Sequence, residues 1–143
     1  MSQYRHTQPA YLIRYMFMTV AGVAVLITLI AGDGAAWRVV GVLMAILVIL
    51  GWLFSSLTVE VSADHVSWYF GPGFWKKKLD RHDIEAVSPV GTHCWYGWGI
   101  RYTPQGWMYN VSGLKAVKLT LRSGKTILIG TDEPEMLAAA LEK

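Results

Sequence analysis

Hydrophobic and polar positions divide the chain near residue 57 into two parts with different periods. Residues 11–31 and 39–57 are apolar on all sides, with Arg14 as the only charge among them. Each segment is close to the ~20 residues that cross a bilayer core as a helix. Neither has a polar stripe to face water, so we expect two membrane spans rather than buried helices of a soluble protein. The linking sequence GDGAAWR contains two glycines and Asp33 and predicts a tight turn.

From residue 58 onward, apolar and polar residues alternate as they do in strands with one buried face. LTVEV, VSWYF, FWKKKL, KAVKLTL and TILIG follow this pattern, and turn sequences such as GPG and RSGK separate them. Roughly seven or eight short strands at regular spacing are typical of a barrel or sandwich. The predicted fold is therefore an α+β membrane protein, with a tail and helical hairpin at residues 1–57 and a β-domain at residues 58–143.

The last residues, TDEPEMLAAALEK, predict a helix that covers one end of the β-domain. Asp132 is the expected N-cap and Glu135 its capping-box partner, three positions on. The apolar stripe of this helix is expected at Met136, Leu137, Ala140 and Leu141.

Composition and charge agree with an anchored protein. Hydrophobic residues make up 53% of the chain and charged residues 16%, whereas about 25% charged residues is usual. The net charge of +3 is too small to indicate a nucleic-acid partner, but it is compatible with binding to anionic lipid headgroups. The single cysteine excludes an internal disulfide and suits a reducing compartment.

Basic residues predict the orientation of the two spans. Arg5 and Arg14 lie at the start of the chain, and a run of lysines follows the second span, whereas the turn carries only Arg38, offset by Asp33. By the positive-inside rule, both termini are expected in the cytoplasm. The alternative is a signal peptide cleaved after Ala36, which would leave one span.

Two segments of the β-domain carry a resemblance to a known family. They are LTVEVSADHVSWYFGPGFWKKKLDRHDIEAV and GLKAVKLTLRSGKTILIGTDEPEMLAAAL. Their hairpins, the Asp-Ile-x-x-Val passage and the closing strand–turn–strand–helix unit resemble the bacterial pleckstrin-homology-like (PH-like) domain proteins of the inner membrane. The resemblance implies an antiparallel β-barrel or sandwich with a C-terminal capping helix, in a multi-pass protein of the inner (cytoplasmic) membrane.

Metal and nucleophile chemistry find little support in the residue pattern. No pair has a ligand spacing such as Cys-x-x-Cys or His-Glu-x-x-His, so we expect neither metal nor cofactor. Adjacent strand residues face opposite ways, so His93 is a poor base for Cys94. Cys94 is expected to be an inert packing residue.

A basic strand is the first candidate for binding. In the eukaryotic relatives of this domain class, a basic early hairpin binds lipid headgroups, and aromatic rings beside the lysines here would suit an interface. The alternative is a solvated strand face that adds to the positive-inside signal. The candidate residues are Trp75, Lys76, Lys77, Lys78 and Arg81.

The aromatic stretch HCWYGWGIRYTPQGWMYN is the second candidate. A hairpin that pairs Tyr102 with Trp107 and Ile100 with Tyr109 gives one apolar face, expected to line the core. A competing register pairs Thr103 with Trp107 and suits the turn residues better. We favour the first register because it keeps one face apolar.

Three residues of this stretch are candidates for contact with a partner or ligand: Trp95, Tyr96 and Arg101. The sequence as a whole predicts a non-enzymatic interaction or scaffolding module at the membrane surface. Its expected partners are the lipid bilayer and another membrane protein or a second copy, with no small-molecule substrate identified. The alternative is a membrane-bound enzyme or assembly factor with a ligand pocket in residues 93–110.

Overall fold

A computed structural model describes residues 4–142 as an α+β fold in which a pair of helices interrupts the first sheet. The helices are α1 (Tyr11–Ala31), α2 (Gly34–Leu53) and α3 (Pro134–Glu142). The strands are β1 (Tyr4–Pro9), β2 (Ser56–Val61), β3 (His65–Phe70), β4 (Phe74–Asp80), β5 (Ile84–Gly91), β6 (Gly99–Thr103), β7 (Gly106–Asn110), β8 (Lys115–Leu121) and β9 (Thr126–Gly130). Short 3-10 helices lie at Arg81–Asp83 and Cys94–Tyr96.

The helical pair has almost no connecting loop. α1 has the predicted bounds, but α2 begins and ends earlier than the predicted 39–57. α2 begins early because Asp33 is its N-cap. The carboxylate of Asp33 accepts a hydrogen bond from the Ala35 amide at 2.8 Å. Gly32, with φ of 66°, ends α1. Both helices are long and apolar enough to cross a membrane, by length and composition.

The N-terminal tail belongs to the β-domain rather than to the helical hairpin. Its residues form β1, which pairs antiparallel with β2 from Tyr4 opposite Val61 to Pro9 opposite Ser56. Side chains reinforce the pairing, because the hydroxyls of Thr7 and Thr58 lie 2.9 Å apart. The division at residue 57 is therefore displaced: residues 4–9 and 56–57 complete the first sheet.

Two sheets make up the β-domain. The first has the order β1-β2-β3-β4 and the second β5-β8-β9-β7-β6. The expectation of a wholly antiparallel domain is wrong at one place, because β7 and β9 run parallel. β9 lies between β7 and β8, antiparallel to β8 and parallel to β7.

The hydrophobic core lies between the two sheets and under α3. Its largest fully buried side chains include Trp68 and Phe70 from β3, Leu119 from β8 and Leu137 from α3. α1 joins this core through Ile13 at its first turn. The hairpin is therefore packed onto the β-domain at its base.

α3 forms as predicted, but its cap and part of its stripe differ. The Thr131 hydroxyl accepts the Glu133 amide at 3.1 Å, whereas Asp132 contacts His6 of β1 at 2.6 Å. α3 begins at Pro134, so Asp132 lies two residues before it, and the carboxylate of Asp132 pairs with His6 of β1. Among the stripe residues, Met136 is 59% exposed, and the helix buries Pro134, Leu137, Ala138 and Leu141 instead.

Candidate functional site

The aromatic hairpin adopts the favoured register. Tyr102 lies opposite Trp107, and Ile100 opposite Tyr109. The Thr103 hydroxyl closes the turn by donating to the Gly106 carbonyl at 2.8 Å. Gly106 is required here, because a Cβ would overlap the backbone carbonyl of Thr126. The competing register, which turn chemistry favoured, is not formed.

The burial of this hairpin differs from the expectation on both faces. Tyr109 belongs to the core and Ile100 packs against it, but Tyr102, on the edge strand β6, is 75% exposed. On the opposite face, Met108 and Asn110 are buried rather than open. Tyr96 packs against a small second cluster that contains Met108 and so closes that side of the sheet.

The segment before β6 separates its candidate residues. Trp95 is 88% exposed on the Cys94–Tyr96 turn, while Tyr96 is partly buried. Cys94 is exposed rather than packed, contrary to expectation. Of these residues, Trp95 and Cys94 are the ones accessible from outside.

Arg101 is held in place by the backbone of the same segment. Its Nε donates to the Trp98 carbonyl at 3.3 Å. Its guanidinium lies against Gly97, where an added Cβ would come within 3.1 Å of Cζ. Gly97 has φ of 65°, a conformation that glycine adopts at little cost. The two terminal guanidinium nitrogens have no hydrogen-bond or ion-pair partner within residues 4–142.

The basic strand β4 is the last strand of the first sheet and carries a bulge. Its register shifts opposite Tyr69, where Trp75 has φ of 53°, a strained value for a residue with a side chain. Lys77 pairs with Trp68 and so faces the inner side of the sheet. The ammonium of Lys76 lies 5.4 Å from the ring centre of Tyr69.

A cavity of about 410 Å³ opens between β4 and the second sheet. Its lining residues are Trp68, Trp75, Lys77, Lys78, Leu79, Ile100, Trp107, Tyr109 and Ile127. Trp68 is 2% exposed, and its Nε1 has no hydrogen-bond partner among the described residues. Burial raises the pKa of Tyr109 in the same wall. The cavity is thus lined by aromatic rings and two lysines.

Arg81 is placed apart from the lysines by its hydrogen bonds. Its guanidinium donates to the carbonyl of Leu141 at 2.8 Å and to that of Ser62 at 3.2 Å. A cation is favourable at the C-terminal end of a helix, where carbonyls are unpaired. Arg81 therefore fastens α3 to the turn between β2 and β3.

The candidate residues form two groups on either side of β6. Trp75, Lys77 and Lys78 line the cavity that Ile100 also lines, while Arg101 lies on the opposite side of that strand. Within residues 4–142, no three His, Cys, Asp or Glu side chains come together as a metal site would require. No pattern in the sequence indicates the unpaired Trp68 donor, because only the fold shows that its indole nitrogen lacks a partner among residues 4–142.

Comparison with protein-family models and with curated proteins finds no match to this chain.

Proposed function

We propose that this protein is a membrane-anchored, non-enzymatic interaction module whose β-domain is held against the cytoplasmic surface of the bacterial inner membrane. The observation that carries the proposal is the pairing of the two strands that flank the helical hairpin. Pro9 lies opposite Ser56, and the Ala10 amide donates to the Ser55 carbonyl at 3.0 Å. Both ends of the hairpin thus enter one sheet without a linker.

This attachment supports a role at the surface. Gly71, in the β3–β4 turn, packs so closely on the end of α2 that a Cβ would lie 2.6 Å from the Leu53 carbonyl oxygen. The rings of Phe54 and Phe74 meet at 5.4 Å across the same junction. A domain fixed at both ends of a pair of spans cannot leave the membrane, so the exposed surfaces of the β-domain stay at a fixed distance from the bilayer.

A PH-like architecture is part of the proposal. The order of an N-terminal four-stranded sheet, a second sheet and a terminal helix supports it. The parallel β7–β9 pair is a departure that sets this chain apart from a wholly antiparallel barrel.

The proposed partner surface is the free edge of β4 with its three lysines. An unpaired edge strand can accept an extended segment of a partner protein, and lysines would favour an acidic one. Lysines and a bulge also protect edges against unwanted pairing, so the exposed edge by itself does not require a partner. The cavity behind β4, lined by aromatic rings and two lysines, adds a feature that edge protection does not need.

The same cavity supports the second candidate, a ligand-binding assembly factor or enzyme. Its volume of about 410 Å³ lies within the 300–1,000 Å³ usual for small-molecule sites. Binding there should change the fluorescence of Trp68 and Trp75 in the purified protein.

Anchoring and orientation are testable with the single native cysteine. Cys94 is exposed, so a membrane-impermeant maleimide should label it in inverted inner-membrane vesicles and not in intact spheroplasts. Cys94→Ser is the control for background labelling. Labelling from the periplasmic side, or recovery of the chain in the soluble fraction after a carbonate wash, would refute the proposal.

The partner surface is testable by cross-linking in native membranes. Lys78→Glu reverses a charge on β4, and Lys125→Glu makes the same change on the β8–β9 turn. An amine-independent photo-cross-linker placed at Lys76 should give a discrete adduct in the parent and in Lys125→Glu, and lose it in Lys78→Glu. A chain that stays at monomer size in all three would refute the scaffolding role.

A further inference from the structure

An apolar cleft lies where the two long helices meet the segment before β6. It encloses about 320 Å³. Its lining residues are Ile13, Met16, Phe17, Leu50, Phe54, Gly97, Trp98, Gly99 and Arg101. All the side chains from the helical pair are hydrophobic, and Arg101 is the only charged residue in the wall.

The position of the cleft along the helices defines its surroundings. From Tyr11, where α1 begins, to Phe17 is six steps of 1.5 Å, or about 9 Å along the axis. Exposed rings of Tyr11, Tyr15 and Trp52 lie at the same ends of the helices, as aromatic residues do at membrane–water interfaces. If the hairpin spans the membrane as proposed, the cleft lies at the depth of headgroups and the first part of the acyl chains.

Arg101 is positioned to bind an anion at the mouth of this cleft. The Nε bond to Trp98 and the contact with Gly97 fix the guanidinium plane and leave both terminal nitrogens without partners among the described residues. Two such nitrogens match the oxygens of a phosphate in a bidentate arrangement. No carboxylate lines the cleft to compete for them.

We propose that this cleft is a binding site for one anionic phospholipid. The phosphate contacts the terminal nitrogens of Arg101, and an acyl segment packs on Ile13, Phe17 and Phe54. An acyl chain is the apolar molecule present at that depth, and the wall that the helical pair contributes is wholly hydrophobic. The inference rests on the proposed membrane anchoring and adds to it a defined lipid and a defined residue.

Brominated lipids provide the test, because bromine quenches tryptophan only at short range and Trp98 lines the cleft. The full chain is reconstituted in phosphatidylcholine vesicles that contain increasing fractions of phosphatidylglycerol with brominated acyl chains. The signal of Trp98 is the difference between each protein and its Trp98→Phe counterpart. Flotation of the vesicles reports insertion separately.

Arg101→Gln should raise the phosphatidylglycerol fraction needed for half-quenching by at least about tenfold, because it removes the charge-assisted hydrogen bonds to the phosphate in addition to the general attraction to the surface. Arg14→Gln is the matched control, because it removes the same charge at the start of α1 without lining the cleft. Gly97→Ala keeps the charge but displaces the guanidinium, and it should also weaken quenching. Excess inorganic phosphate should not restore Trp98 fluorescence.

Several results would overturn the inference. Equal effects of the two arginine changes would mean general attraction to the surface instead of a site. Absence of Trp98 quenching in the parent would mean that the cleft holds no lipid. Displacement by inorganic phosphate would assign the site to a soluble anion. A chain that fails to float with the vesicles would refute the proposed anchoring, whereas these other results refute only the lipid site.

Discussion

Gly71→Ala is the sharpest test of how the β-domain is fixed to the helical hairpin. Gly71 has φ of 46°, and an added Cβ would lie 2.6 Å from the Leu53 oxygen and 2.7 Å from the Trp52 oxygen. The left-handed conformation costs about 1–2 kcal/mol for a residue with a Cβ. Overpacking against backbone, which cannot rotate away, adds about 1–3 kcal/mol. We expect a total loss of about 2–5 kcal/mol in the free energy of unfolding.

Gly124→Ala separates the two contributions. Gly124 has φ of 80° in the β8–β9 turn, and nothing lies within 4 Å of a Cβ there. Gly124→Ala should lose only the conformational part of the free energy of unfolding. The unfolding midpoint of Gly71→Ala should therefore lie roughly 3–10 °C below that of Gly124→Ala. The measurement is the loss of near-UV circular dichroism of the full chain in detergent. Equal midpoints for the two variants would refute the close packing of the β3–β4 turn on α2.

The remaining predictions concern three side chains with defined partners. Burial first and the Glu133 carboxylate second raise the pKa of Tyr4 from 10.0 to about 12. The stabilisation that Tyr4 contributes is therefore complete below pH 10 and is lost as the pH rises to 12. A spectrophotometric titration of the parent minus that of Tyr4→Phe measures ionisation of this phenol, and ionisation near pH 10 would contradict the expectation. Gln8→Ala should cost about 1–3 kcal/mol, because Gln8 Nε2 donates to the buried Ser112 carbonyl at 3.1 Å; denaturant unfolding measures it, and no change would mean that this bond is not formed. Arg81→Ala should cost about 1–3 kcal/mol and speed proteolysis of α3, whose Leu141 carbonyl it binds; an effect on lipid binding without loss of stability would restore the role that the sequence indicated.

The elements best predicted from sequence are those whose pattern is local. α1 has its predicted bounds because the apolar run ends at Gly32, which takes a left-handed conformation. The register of β6 and β7 follows from matching apolar faces, with Ile100 opposite Tyr109. In both cases the decisive residues lie within the element or beside it.

The misplaced elements depend on residues far away in the chain. β1 has the sequence YRHTQP, in which no apolar alternation indicates a strand. It forms because β2 offers an unpaired edge and matching partners, including Glu60, whose carboxylate lies 3.3 Å from Arg5 Nε. The contact of Asp132 with His6 of β1 likewise joins residues far apart in the chain, and only the fold brings them together.

The candidate site was predicted unevenly. The lysines of β4 were found by composition, but their division into an inner Lys77 and an outer Lys76 depends on the bulge at Trp75. Arg81 carries the same charge as the lysines and was grouped with them, although its partners are carbonyls of Ser62 and Leu141. Charge was visible in the sequence; the distance between neighbouring charges was not.

The pairing of β1 with β2 sets an order on how the protein is made. β1 leaves the ribosome before both long helices, whereas its partner strand begins only at Ser56, after both helices have been translated. β1 must therefore stay unpaired until α1 and α2 have folded back on each other and brought Ala10 to Ser55. Closure of the first sheet therefore depends on prior assembly of the hairpin.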